Sequence, residues 1–443
     1  MGTEARLTAS ADWREHYAAR LVQPEQIVAT LKSGDRIRTC AGHECLLLIV
    51  GLAARGEEVR GIRFRQIAAW KDYGLYSHEW AERIRTNLSF ATPPTREGVE
   101  EGFIDFTVVG FGDFDRALDQ GRAGFAPYDQ CWFTATPPDE HGYCSVGAEL
   151  WDLQNAVNRS KVKVAAINSF LPRTHGNTSV HVSQIDWFYE QHEPAPDRIR
   201  REPSKVAAAV AGHIAPLIRS GDTIQVGAGT TTFALASLGA FDGKEDLGYF
   251  AETSSPGLLD LVRRGVITSK RATVHPDRFV VTGLTSVNQE DWSYVDNNPF
   301  FEFHDYDYML NPAVIGRNDN MVAINNALAV DLLGQVAVIG VGRSIRAGTG
   351  GQLAYHTGAY LSKGGRAITV VPSTTTDGTR SRIVVQHPPG QVVTVPWDLA
   401  DTVVTEHGAA ELLGKSIRER AEALIEIAHP DMRDELREAA KTL

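Results

Sequence analysis

Glu252 closes a short apolar run, Gly248-Tyr249-Phe250-Ala251, and a polar turn follows at once, Thr253-Ser254-Ser255-Pro256-Gly257. After the turn, Leu258, Leu261 and Val262 recur at the spacing of one helix face, and Gly265 suits a left-handed helix stop. A carboxylate therefore stands where a strand hands over to a helix, the edge that faces the ligand crevice in α/β folds. A glutamate in that place can attack a carbonyl, take a proton, or simply cap the turn.

Two glycine-rich stretches could serve such chemistry. Gly350-Gly351 can bring backbone N–H groups close to a developing oxyanion, because no Cβ intervenes. Val226-Gly227-Ala228-Gly229-Thr230-Thr231-Thr232 follows a strand-like run and reads as the opening of a helix. Its backbone could cradle a phosphate, or it could be a tight turn packing strand on helix. A dinucleotide fingerprint needs a third glycine at 232, where a threonine stands. Asn325, at the end of a strand-like block, could contact a substrate or serve as a structural amide. His141, His175 and His429 lie in loops and read as hydrogen-bonding groups. The four cysteines (40, 45, 131 and 144) form no CxxC pair and read as reduced thiols, so no metal site is expected.

The elements that must position these residues repeat. Leu31-Lys32-Ser33-Gly34-Asp35-Arg36-Ile37 reappears as Ile218-Arg219-Ser220-Gly221-Asp222-Thr223-Ile224. Each copy follows a helical stretch, Pro24 to Leu31 and Val206 to Ile218, and runs into a short strand and a glycine, Gly42 or Gly227. Two α/β units in tandem are expected, divided by the proline-rich stretch 193–203, with domains at 1–196 and 204–443. Strands such as Val162–Ile167 and Arg366–Val371 alternate with helices, which predicts largely parallel sheets. Ser416 and Glu419 fit a capping box for a helix running to Ala428.

At 443 residues the chain can bury ample cores, and 43% apolar with 22% charged residues is ordinary for a globular protein. A net charge of -11 argues against a nucleic-acid partner. The longest apolar stretch, Cys45 to Ala54, is too short to span a bilayer. The first residues show no apolar leader, so a cytoplasmic location without membrane association is expected.

Read in order, several blocks resemble the acetyl-CoA hydrolase/transferase family. They include Thr136-Pro137-Pro138-Asp139-Glu140-His141-Gly142-Tyr143, Asn320-Met321-Val322-Ala323-Ile324-Asn325-Asn326-Ala327, Gly348-Thr349-Gly350-Gly351-Gln352 and Val404-Thr405-Glu406-His407-Gly408. The resemblance implies two CoA-transferase-type α/β domains, the second carrying the catalytic glutamate, here Glu252. It implies an oxyanion hole at Gly351 beside Gly350. It places coenzyme A, as an acyl-CoA substrate, near Gly227, Ala228, Gly229, Thr230, Asn325 and Thr376. It further implies a small carboxylic acid as second substrate, no permanently bound cofactor, and a homodimer. The sequence departs from the family pattern at Pro256, at Leu353-Ala354-Tyr355, and at Thr376, where a lysine is expected and Asp377 adds an acid. Three functions follow as expectations: an acyl-CoA:carboxylate CoA-transferase, an acyl-CoA hydrolase using the same glutamate, or a non-catalytic acyl-CoA-binding protein.

Overall fold

The repeated Ser-Gly-Asp segments fold as the same turn. The computed structural model describes residues 13–40, 44–55, 58–108, 110, 113–122, 126–195, 202–285 and 287–441. In the first turn Asp35 Oδ2 accepts from the Lys32 N–H at 2.9 Å, and in the second Asp222 Oδ2 accepts from the Arg219 N–H at 2.6 Å. The Ser33 hydroxyl accepts from Arg60 N–H at 3.1 Å, and Ser220 accepts from Glu245 N–H at 3.0 Å. Gly34 and Gly221 donate to the carbonyls of the same two residues, each at 2.9 Å. Both glycines have positive φ, 88° and 84°, which explains glycine at the bend.

The chain divides into two compact units, residues 1–197 with 287–305, and residues 198–286 with 306–443. The first unit contributes β1 (Arg36–Thr39), β2 (Ile62–Arg65), β3 (Ile84–Leu88), β4 (Asp105–Phe106), β5 (Tyr128–Ala135), β6 (Ser160–Ile167) and β7 (Trp187–Glu190). Their order is β7-β6-β5-β1-β2-β3-β4, parallel throughout. The 287–305 stretch adds a helix, Gln289–Val295, capped by Asn288, and a strand, Phe301–Phe303, beside His175–Gly176.

The second unit contributes β8 (Thr223–Val226), β9 (Gly248–Phe250), β10 (Phe279–Val281), β11 (Met321–Asn326), β12 (Arg366–Val370), β13 (Thr402–Thr405) and β14 (Gly408–Glu411). These run in the order β14-β13-β12-β11-β8-β9-β10, parallel except for the last hairpin, β13 with β14. Strand for strand, β1, β2, β3, β5, β6 and β7 correspond to β8, β9, β10, β11, β12 and β13. The expected mixed α/β fold with two similar, largely parallel sheets is thus what the chain adopts. The central strands are buried along their length, as parallel strands covered on both faces must be.

One expectation needs adjustment. The Gly227 loop opens a three-residue 3-10 turn, Thr232–Ala234, and no α-helix. The Thr232 hydroxyl turns back to the Gly227 carbonyl at 2.5 Å, a local bond that competes with helical pairing. Trp132 and Tyr189 are fully buried core residues of the first unit, and the Trp132 indole N–H donates to Gln130 Oε1 at 2.8 Å. The capping box at Ser416 and Glu419 forms, and its helix runs Ile417–Glu426. Among the described residues no helix is long and apolar enough to cross a membrane.

A buried histidine links this fold to pH. His356 lies fully buried in the helix Gln352–Leu361, and burial pushes its pKa down to about 4, partly opposed by the Leu399 backbone. An unfolded histidine titrates near 6.5, so the unfolded chain gains a proton that the folded chain refuses. Stability is therefore full above about pH 6.5 and falls as pH drops towards 4. The expected contribution at pH 5 is roughly 2 kcal/mol of lost stability. Urea unfolding of His356→Leu at pH 7.5 and pH 5 should show a correspondingly smaller difference than the parent; an identical difference would exclude His356 as the source.

Candidate active site

Glu252 follows β9, and the structure explains why the chain can hold it there. Tyr249, Phe250 and Ala251 before it are buried, and Tyr249 stacks on Phe279 with centroids 4.2 Å apart. The Tyr249 hydroxyl donates to the Thr253 carbonyl at 2.7 Å, so a buried strand residue buttresses the bend four positions on. The Glu252 carbonyl accepts from Thr282 and Gly283 N–H at 3.1 and 3.2 Å. Thr253, Ser254 and Ser255 are buried, and Ser254 is laced to Thr285 from both backbone and side chain. Gly257, at φ 82°, then starts the helix Leu258–Arg263, and Gly265 follows it at φ 71°. The bend is thus held by buried residues and by hydrogen bonds on both sides of Glu252.

Two donors meet that side chain. The Tyr306 hydroxyl donates to Oε1 at 2.8 Å. The Gly351 N–H also donates to the carboxylate. Gly351 caps the N-terminal end of the ten-residue helix Gln352–Leu361, whose dipole adds positive character at that amide. Burial raises the Glu252 pKa above the ordinary carboxylate value, while Tyr306 and Gly351 pull the other way. Desolvation prevails, which is the condition under which a carboxylate becomes a competent nucleophile.

The two glycines serve for different reasons. Gly350 has φ 55°, a left-handed backbone that a side chain would strain. Gly351 has an ordinary φ of −86°, but a Cβ there would lie 2.7 Å from Glu252 Oε2 and 2.8 Å from Leu310 Cδ2. It would also lie 3.0 Å from a Tyr355 ring carbon. A side chain at 351 would therefore have to displace the carboxylate.

The remaining candidates gather at the same edge of the second unit. Glu252 follows β9, Gly227 to Thr230 follow β8, Asn325 is the last residue but one of β11, and Thr376 lies in the loop after β12. These are adjacent parallel strands, so their carboxyl ends share one side of the sheet. Gly227 and Gly229 are demanded by crowding: a Cβ on either would lie 2.2 Å from Asn325 Oδ1 or 2.0 Å from Asn326 Nδ2. Asn325 exchanges both amide atoms with Gln225, at 3.0 and 2.8 Å, in a buried reciprocal pair. Its carbonyl oxygen and one amide hydrogen are therefore committed to holding the sheet edge. Asn326 clamps the glycine loop through the Ala228 carbonyl at 3.3 Å and the Thr232 hydroxyl. Thr376 is exposed. Beside it Asp377 is held well ionised, its pKa brought down to about 2 by the Thr375 hydroxyl and the Thr379 N–H.

Tyr306, Leu310, Tyr355 and Asn326 carry no local signal that would mark them in the sequence; Tyr306 lies 54 positions from the carboxylate it touches.

The first unit has a counterpart of the Glu252 position. Just after β2 the Gln66 N–H donates to the Asn87 carbonyl, as just after β9 the Ala251 N–H donates to the Val280 carbonyl. The next residue, Ile67, accepts at its carbonyl from Ser89 and Phe90, as Glu252 accepts from Thr282 and Gly283. The same backbone seat thus occurs twice, holding Ile67 in one unit and Glu252 in the other.

Comparison with known proteins agrees with this architecture. Residues 5–211 match the acetyl-CoA hydrolase/transferase N-terminal domain, and residues 288–440 match the C-terminal domain. The 4-hydroxybutyrate coenzyme A transferase of Clostridium kluyveri is 36% identical over 96% of this chain and 98% of that protein. The succinyl-CoA:cyclohexane-1-carboxylate CoA transferase of Geobacter metallireducens is 34% identical over 99% of both. The crystal structure of RipA from Yersinia pestis superposes with a TM-score of 0.89 at 32% identity, covering 97% of this chain and 99% of that one. On these grounds, the chain belongs to the acetyl-CoA hydrolase/transferase family.

Proposed function

We propose that the protein is an acyl-CoA:carboxylate CoA-transferase that works by ping-pong chemistry on Glu252. The observation that carries this reading is the desolvated Glu252 carboxylate held against the Gly351 N–H at the ligand edge of a parallel sheet. The two relatives named above, both CoA transferases, support it.

In the first step a Glu252 oxygen bonds to the thioester carbon, the carbon–sulfur bond breaks, and its electron pair leaves on the CoA thiolate. The product is an acyl-glutamyl anhydride. The thiolate then bonds to the glutamyl carbonyl carbon, and the first acid leaves as a carboxylate. A glutamyl-CoA thioester remains. The acceptor carboxylate attacks that thioester and the two steps run in reverse, giving the new acyl-CoA and free Glu252. No proton or phosphate is consumed, and the thioester's free energy is conserved. A fixed donor such as the Gly351 N–H stabilises each tetrahedral oxyanion by roughly 3 kcal/mol.

Incubation with an acyl-CoA alone, followed by intact-mass measurement, tests the reading. A CoA-sized adduct that maps to Glu252 and disappears on adding a carboxylic acid is expected. Steady thiol release without an acceptor and without an adduct would instead indicate hydrolysis, and binding with neither would indicate a non-enzyme.

In this reading Gly227, Ala228, Gly229, Thr230 and the loop at Thr376 border the coenzyme. A lysine at 376 would put a cation near an anionic ligand and offset Asp377. Thr376→Lys is therefore expected to tighten CoA binding by about tenfold at low salt, with the gain shrinking as ionic strength rises. Calorimetric titration of both forms at two salt concentrations checks this; unchanged binding would place the loop away from CoA.

A further inference from the structure

We infer that Tyr306 is the positioning residue of the nucleophile: its hydroxyl fixes the Glu252 carboxylate in one orientation for attack on the thioester. The inference rests on Glu252 being that nucleophile.

The geometry supplies the argument. Tyr306 opens a short helix, Tyr306–Met309, that is pinned by the buried side chains of Met309 and Leu310. The phenol is thus delivered by a packed element that is separate from the Glu252 bend. Its 2.8 Å bond holds Oε1. The other oxygen, Oε2, lies on the Gly351 side, 2.7 Å from where a Cβ of residue 351 would stand. Two donors on two elements therefore define the plane of the carboxylate. A glutamate has three side-chain torsions, and these two donors together restrain the last of them.

The bond has a second effect. A hydrogen bond to the charged form keeps that form populated, and burial works against it. Tyr306 thus keeps Glu252 ionised at pH values where a bare buried carboxylate would protonate. The other titratable group at this carboxylate is Tyr355. Burial, followed by the Glu252 charge, pushes its hydroxyl well up, so it stays protonated across the working range.

The test is Tyr306→Phe, which keeps the ring and removes only the donor. With the full chain and an acyl-CoA, kcat is expected to fall roughly 10- to 100-fold, the range for losing a hydrogen bond to a charged group. KM for the acyl-CoA should stay within about twofold, because the bond that is removed is made to the nucleophile. The acid limb of the pH–rate profile should move to higher pH. Incorporating 3-fluorotyrosine at position 306, a stronger donor, should move that limb the opposite way. A merely structural tyrosine would lower activity without moving the limb in either variant, and that result would overturn the inference. So would a Tyr306→Phe enzyme with unchanged kcat while the parent still forms the CoA adduct on Glu252. Absence of any adduct in the parent would instead strike at the nucleophile assignment itself.

Discussion

Glu252→Ala should lower CoA transfer by roughly four orders of magnitude or more while the protein stays folded. The backbone bonds that define the bend, from Thr282 and Gly283 to the Glu252 carbonyl, do not involve the side chain and survive the change. Removing a desolvated carboxylate should leave the melting temperature unchanged or slightly raised, as happens when a strained functional charge is deleted. Glu252→Asp sharpens the test. The charge stays, but the carboxylate withdraws by one methylene, away from Tyr306 and Gly351, and a misplacement near 1 Å can cost roughly 100-fold. Steady-state assays with matched melting curves decide the matter. Activity of the alanine variant within tenfold of the parent would falsify the nucleophile assignment.

The second large effect is expected at Gly351. Its φ of −86° suits alanine, so the backbone itself carries no objection. The added methyl, however, would stand 2.7 Å from Glu252 Oε2 and 2.8 Å from Leu310 Cδ2. Leu310 is packed in the core of the second unit, so the carboxylate is the partner that must move. Gly351→Ala should therefore reduce kcat by roughly 100- to 1000-fold, through both displaced nucleophile and disturbed oxyanion donor, with a smaller change in KM. Gly350→Ala is the useful contrast. There the obstacle is the positive φ, the space around the added methyl is open, and the cost is roughly 1–2 kcal/mol of backbone strain. A Gly351→Ala enzyme within threefold of the parent would mean that the amide and the carboxylate are not juxtaposed as described.

Much of this was legible in the sequence because it is local. The Glu252 bend follows from an apolar run, a polar turn and glycines placed at left-handed positions, all within eighteen residues. The Ser-Gly-Asp repeat is short, yet each residue in it has a fixed task in the turn, so seven positions suffice to reveal a duplicated fold. What escaped was tertiary. Tyr306 reaches Glu252 across 54 residues, and no periodicity connects them. The Gln225–Asn325 amide pair is set by strand register, which no single strand discloses. The helix expected after Gly229 failed because Thr232 found a nearer partner in the Gly227 carbonyl. The correspondence of Ile67 with Glu252 is invisible to composition, since the side chains differ and only the backbone bonds coincide.

That duplicated seat bears on how such a protein can tolerate its own chemistry. A desolvated carboxylate lowers stability wherever it is installed, and natural enzymes accept that loss at their reactive centres. With two equivalent seats in one chain, the loss need be accepted only once. The first unit fills its seat with isoleucine, between the buried Gln66 and Ala68, and so escapes the conflict. On the proposed function, reactivity and robustness, usually antagonists within one domain, are divided between two copies of the same design.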